Sequence, residues 1–210
     1  MRKGRVFAAV LCLVAAVLAG CGQTKTPETI TDTTVLVNRN GSLTYFLVGE
    51  FDKEYYELDE LTAMVQEEAA KFNAGRSASD ADAAVVVESV GYQTAGSSRV
   101  IITYRFDGGE SFERFAEEYA EQSFFYGTVQ EAVEKGYMKG VTLKNTKDGN
   151  PVSQEQIEKN GKARLIITDV KASFYCPGRI TWLSDGLSLG EAGSVDTSGV
   201  EGLAYIIFKK

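Results

Sequence analysis

The side chains with the most obvious chemistry are carboxylates. Five of them, Asp52, Glu54, Glu57, Asp59 and Glu60, crowd into nine residues. Such a group could hold a cation or a cationic ligand, or supply an acid and a base for glycan cleavage. A second set, Glu113, Glu117 and Glu121, recurs at every fourth position, the spacing that stacks side chains along one helix face. Stacked carboxylates suit a hard cation such as calcium. Both sets also have a plainer explanation. Acidic residues at a helix N-terminus complement its dipole, contributing about 0.3–1 kcal/mol each, and a carboxylate column is the normal surface of a solvated helix. No EF-hand loop with its central glycine is present. Trp182, Tyr55-Tyr56 and Phe124-Phe125-Tyr126 could stack on sugar rings or fill a core. Asp52, Glu54, Glu57 and Trp182 are therefore the candidate ligand-surface residues. No catalytic residue, metal-ligating set or cofactor is assigned.

Absences narrow the chemistry further. The chain of 210 residues has no histidine. That removes Ser-His-Asp and Cys-His catalysis, histidine zinc sites and imidazole proton shuttles. Neither phosphate-binding glycine pattern occurs, nor does S-x-x-K. The net charge is −7, so nucleic acid is not an expected partner.

The elements that must position these residues alternate between strand and helix signals. Residues 34–38 and 42–49 are β-rich around Asn40-Gly41, a hairpin turn signal. Leu58, Leu61, Val65, Ala69 and Phe72 recur at helical spacing before a stop at Asn73-Ala74-Gly75. Residues 83–92 and 99–106 read as a second antiparallel pair. Ser111 is expected to cap a helix with Phe112, Phe115, Ala116 and Tyr119 on one side. Thr128 with Glu131, and Ser153 with Gln156, have the capping-box spacing of two shorter helices. From residue 163 the chain reads β to its end. The expected fold is α+β, with antiparallel sheets, two longer and two shorter helices and a β-rich C-terminal end. Residues 34–210 are expected to form a single domain, with 163–210 as a candidate subdomain. Charge divides unevenly, −11 over residues 50–121 and +5 over 135–179. That split suits either a docked partner or pairing across the fold.

The N-terminus has a different character. Arg2, Lys3 and Arg5 precede 14 uncharged residues, 6–19. As a helix that run spans about 21 Å, short of a bilayer core of about 30 Å, so residues 1–20 read as an export signal rather than a span. The run ends in Leu18-Ala19-Gly20-Cys21, which resembles the lipobox of bacterial lipoproteins. The resemblance implies cleavage between Gly20 and Cys21, a diacylglycerol thioether on Cys21, and a lipid-anchored place on the extracytoplasmic face of the cell membrane. Polar residues 21–33 would form the lipidated N-terminus and tether. Removing the leader leaves a net charge of −10, which is expected to keep the body off an anionic bilayer. Cys176 would then be the one free thiol, read as a small core residue.

The body also resembles small uncharacterised lipoproteins of Gram-positive gut bacteria. The shared features are the opening hairpin, the acidic Phe51-Asp52 lead into the first helix, the Gly127-Thr128-Val129 helix start and the Ala204-Tyr205-Ile206-Ile207 ending. This likeness implies an anchored extracytoplasmic domain and brings no activity. The expected function is non-enzymatic: binding a partner, an envelope protein or glycan, or supporting an envelope assembly. The alternative is a carboxylate-dependent envelope glycan hydrolase, which needs two carboxylates about 5–9.5 Å apart in a cleft. A transporter-linked solute receptor fits less well, because no repeated βα pattern occurs.

Overall fold

A computed structural model of the chain describes residues 25–75 and 83–209. Leu18, Gly20 and Cys21 lie outside them. The opening hairpin pairs β1 (Thr34–Val37) with β2 (Leu43–Glu50). At its turn, Asn40 Oδ1 accepts from the Ser42 amide and hydroxyl, and Gly41 takes φ +95°, a conformation glycine allows at little cost. Helix α1 (Leu58–Ala74) follows, then β3 (Val85–Tyr92) and β4 (Arg99–Phe106). Helix α2 (Gly109–Ala120) leads to β5 (Phe124–Thr128) and α3 (Val129–Glu134). Next come β6 (Leu143–Asn145), α4 (Gln154–Lys159), β7 (Arg164–Thr168), β8 (Ser173–Tyr175) and β9 (Arg179–Ser184). β10 (Val195–Asp196) and β11 (Ala204–Lys209) complete the α+β fold.

The strands form two sheets, ordered β10-β8-β1-β2-β4-β3 and β5-β7-β11-β9-β6. Among the described residues, all strand pairings are antiparallel except β1 with β8. Residues 163–210 supply strands to both sheets. The largest core cluster draws Val35 and Leu43 from the first sheet, Val65 and Phe72 from α1, Phe112 and Phe115 from α2, and Ile166, Ile206 and Phe208 from the second sheet. The opposite face of the second sheet buries Phe125, Leu165, Trp182 and Ile207 together with Val129 of α3 and Ile157 of α4. Both short helices begin with reciprocal capping boxes, at Thr128 and Ser153. Each satisfies two backbone donors that a two-turn helix could otherwise not pair.

Two local expectations change. Ser111 does not cap α2: Gly108 does, and Ser111 is buried inside the first turn. The reason is space. A Cβ on Gly109 would stand 2.6 Å from Cβ of Tyr126, so the glycine lets the helix begin three residues earlier, pressed against β5. The polar stretch read as tether also packs from Lys25 onward. Ile30 is 2% exposed and lies with Phe46 and Ile101 on the outer face of the first sheet. Gln93 donates to the Ile30 carbonyl, and Arg99 donates to the Thr31 carbonyl at 2.9 Å. Burying that one side chain contributes about 1.5–3 kcal/mol. It is a single apolar residue among polar ones, which composition averaged over the segment conceals.

Candidate functional site

The first acidic group lies around the start of α1. Asp52, Glu54, Glu57, Asp59 and Glu60 are all exposed. Glu57 is the N-cap, and Asp59 and Glu60 occupy the first turn, where their charge meets the positive end of the helix dipole. Asp52 pairs with Lys53 at 2.9 Å. Beside them stands an open aromatic set: Phe51, Tyr55, Tyr56 and Tyr92, with neighbouring ring centroids 4.9–6.3 Å apart. Trp182 is not part of this surface. It is 7% exposed and packs in the cluster beneath α3 and α4, so the structure does not join it to Asp52, Glu54 and Glu57.

The second acidic set lines a cleft. A cavity of about 670 Å³ is bounded by Glu113, Glu117 and Glu121, the Gln122-Ser123 connection, Phe124, Phe125, Tyr137, Ile167, Leu203 and Tyr205. Sheet register builds its floor. Phe125 of β5 lies opposite Ile167 of β7, and Ile167 lies opposite Tyr205 of β11. The three form one cross-strand row on one face of the second sheet. Tyr137, just past α3, stands edge-on to Phe125 with centroids 5.4 Å apart, and its carbonyl accepts from the Tyr205 hydroxyl at 3.2 Å. Leu203 remains 45% exposed at the rim.

Helix α2 supplies the acidic wall. Phe112 and Phe115 are buried on its other side, so the column at positions 113, 117 and 121 must face outward. The helix closes through Glu121, a left-handed residue at φ 52°, and the Gln122 amide donates to the Ala116 carbonyl. Glu113 is the most enclosed of the three. Partial burial raises its pKa, the nearby Lys135 ammonium opposes that rise, and Glu110 and Glu117 add to it. Lys135 Nζ sits 5.0 Å from the Phe125 ring centroid and 5.8 Å from that of Tyr137, a cation–π arrangement on two of the rings that line the cleft. Among the described residues, no three His, Cys, Asp or Glu side chains are gathered to hold a metal ion. Carboxylates one helical turn apart form a row, whereas a calcium ion needs six to eight converging oxygens.

Sequence reasoning found the carboxylate column and Phe124-Phe125 but not Tyr137, Ile167, Leu203 or Tyr205. Gly186-Leu187-Ser188-Leu189-Gly190, a pattern the sequence reading took to be absent, has the G-x-S-x-G spacing of a nucleophile elbow. An elbow needs a strand-to-helix turn. Here β9 leads into a turn and an isolated bridge from Leu189 to Val195, and no histidine exists to activate the serine. Cys176 keeps some residue surface, yet burial of its thiol pushes the pKa up to about 12, so it is an unreactive thiol at neutral pH. Among the described residues, no helix is long and apolar enough to cross a membrane. No protein family, curated protein or solved structure matches this chain.

Proposed function

We propose that the protein is a lipid-anchored extracytoplasmic binding domain, held to the cell membrane through Cys21 and taking a small cationic ligand with an apolar body into the cleft beside α2. The observation carrying this reading is the composition of that cleft. One wall is a column of three carboxylates, and the floor is an aromatic and aliphatic row. Carboxylates at about 6 Å intervals attract amines or quaternary ammonium groups, while Tyr137, Tyr205 and Ile167 accept a hydrocarbon body and the two tyrosine rings favour a cation over their faces. The lipobox resemblance of residues 18–21 supports the anchor.

The test is titration of the lipid-free mature chain with spermidine and with tetraethylammonium, followed by amide NMR shifts. Shifts are expected at Glu117, Tyr137 and Leu203, with affinity falling at least tenfold in Glu113→Gln/Glu117→Gln and falling also with added salt. Binding unaffected by both the variant and salt would contradict the reading.

One observation favours the glycan hydrolase as a second reading. Glu113 has a raised pKa beside another carboxylate in a cleft, the pattern of an acid paired with an ionised partner. The geometry weighs against it. An acid and its partner flank the scissile bond, and all three glutamates stand on one wall. Release of reducing sugar from envelope glycan, abolished by Glu113→Gln, would establish the hydrolase instead.

A further inference from the structure

The packed N-terminal segment says more about the anchor than the anchor motif does. Lys25 lies with its Nζ 4.8 Å from the ring centroid of Tyr175. From there the chain crosses the outer face of the first sheet to the buried Ile30. Only four peptide steps separate Cys21 from Lys25, a reach of at most about 14 Å. A lipid on Cys21 therefore holds the Tyr175 end of the domain at the headgroups.

Register identifies what else lies at that end. β1 runs parallel to β8 with Leu36 beside Tyr175, so the hairpin turn at residues 38–42 stands next to the turn at 176–178. The second turn leads to Arg179, which pairs with Lys209 at the start of β9, and both are exposed. The opposite end of the same sheet carries Glu50, Asp52, Glu54, Glu57, Asp59 and Glu60. β2 and β4, eight residues each, pair along their whole length and hold the two ends about 25 Å apart.

We infer that the domain stands on the bilayer in one orientation, with Lys25, Tyr175, Arg179 and Lys209 facing anionic headgroups and the acidic start of α1 pointing away. This rests on the lipid anchor proposed above. It also reverses the expectation that net charge keeps the body off the membrane. Screening over about 8 Å hides charges 25 Å from the surface, so only the near end is felt, where exposed Arg179 and Lys209 stand with the carboxylates Asp107 and Glu110 that follow β4.

The experiment uses the lipidated full chain, unaltered, in phosphatidylglycerol-containing nanodiscs with a gadolinium-chelating lipid. Amide relaxation enhancement at residues 38–42, Cys176 and Gly178 should exceed that at 52–57 and 94–98 by roughly fivefold or more, given ends about 25 Å apart. Equal or reversed enhancement in discs that carry the protein would overturn the orientation and leave the anchor standing. Failure of the chain to co-purify with discs would overturn the anchor, and the orientation with it.

Discussion

Single side chains set the chemistry the cleft can offer. Glu113 has a raised pKa in the fold because burial opposes its charge. Its folded pKa lies above its unfolded one, so it costs stability once the pH exceeds the ordinary carboxylate range, and the cost vanishes below that range. Glu113→Gln is therefore expected to stabilise slightly at pH 7, an effect that solvent screening of this half-buried group keeps small, and to leave stability at pH 3 unchanged. Urea unfolding at both pH values checks this; destabilisation at pH 7 would contradict the burial account. Cys176 gives a second residue-scale outcome. With its thiol pushed up to about pKa 12, it should resist iodoacetamide in the folded protein at pH 8 and react on addition of guanidinium. Fast labelling of folded protein would show an open thiol.

At the scale of elements, α2 and β5 matter most, because they carry the acidic wall and part of the floor. Their contact depends on Gly109, where any Cβ meets Tyr126. Gly109→Ala is expected to cost about 1–3 kcal/mol, the range for overpacking a tight contact, and to lower the thermal midpoint; an unchanged midpoint would mean that α2 shifts freely. The hairpin, the β3–β4 pair, α1 and both capping boxes were legible in the sequence, because each rests on local signals: Asn40-Gly41, helical spacing from Leu58 to Phe72, Thr128 with Glu131. β5 was not legible. Phe124-Phe125-Tyr126 carries no alternation, since Phe124 fills the central core and Phe125 the cluster on the other face. The cleft was half legible for the same reason. The spacing of Glu113, Glu117 and Glu121 is local, but the row Phe125, Ile167, Tyr205 exists only through the register of three strands distant in sequence. Trp182 misled because an aromatic side chain has the same one-letter signal whether it fills a core or lines a surface.

The whole molecule is a polarised body. Ion pairs of the acidic stretch stay within it, as in Lys71 with Glu67 on one helix and, across paired strands, Arg99 with Glu50 and Arg105 with Glu88. They are exposed and contribute little stability, about 0–1 kcal/mol each, so the excess negative charge at the start of α1 stays on display. A short link from Cys21 to Lys25 would make that polarity a fixed direction relative to the membrane. Two acyl chains bind stably where one is marginal, at about 0.8 kcal/mol per buried CH₂. The anchor at Cys21 is the claim on which location and orientation both depend. Mass spectrometry of the N-terminal peptide from membrane-extracted protein tests it most directly. The account predicts a chain that starts at Cys21 with a diacylglyceryl thioether; a free Cys21 thiol, or a peptide still carrying residues 1–20, would contradict it.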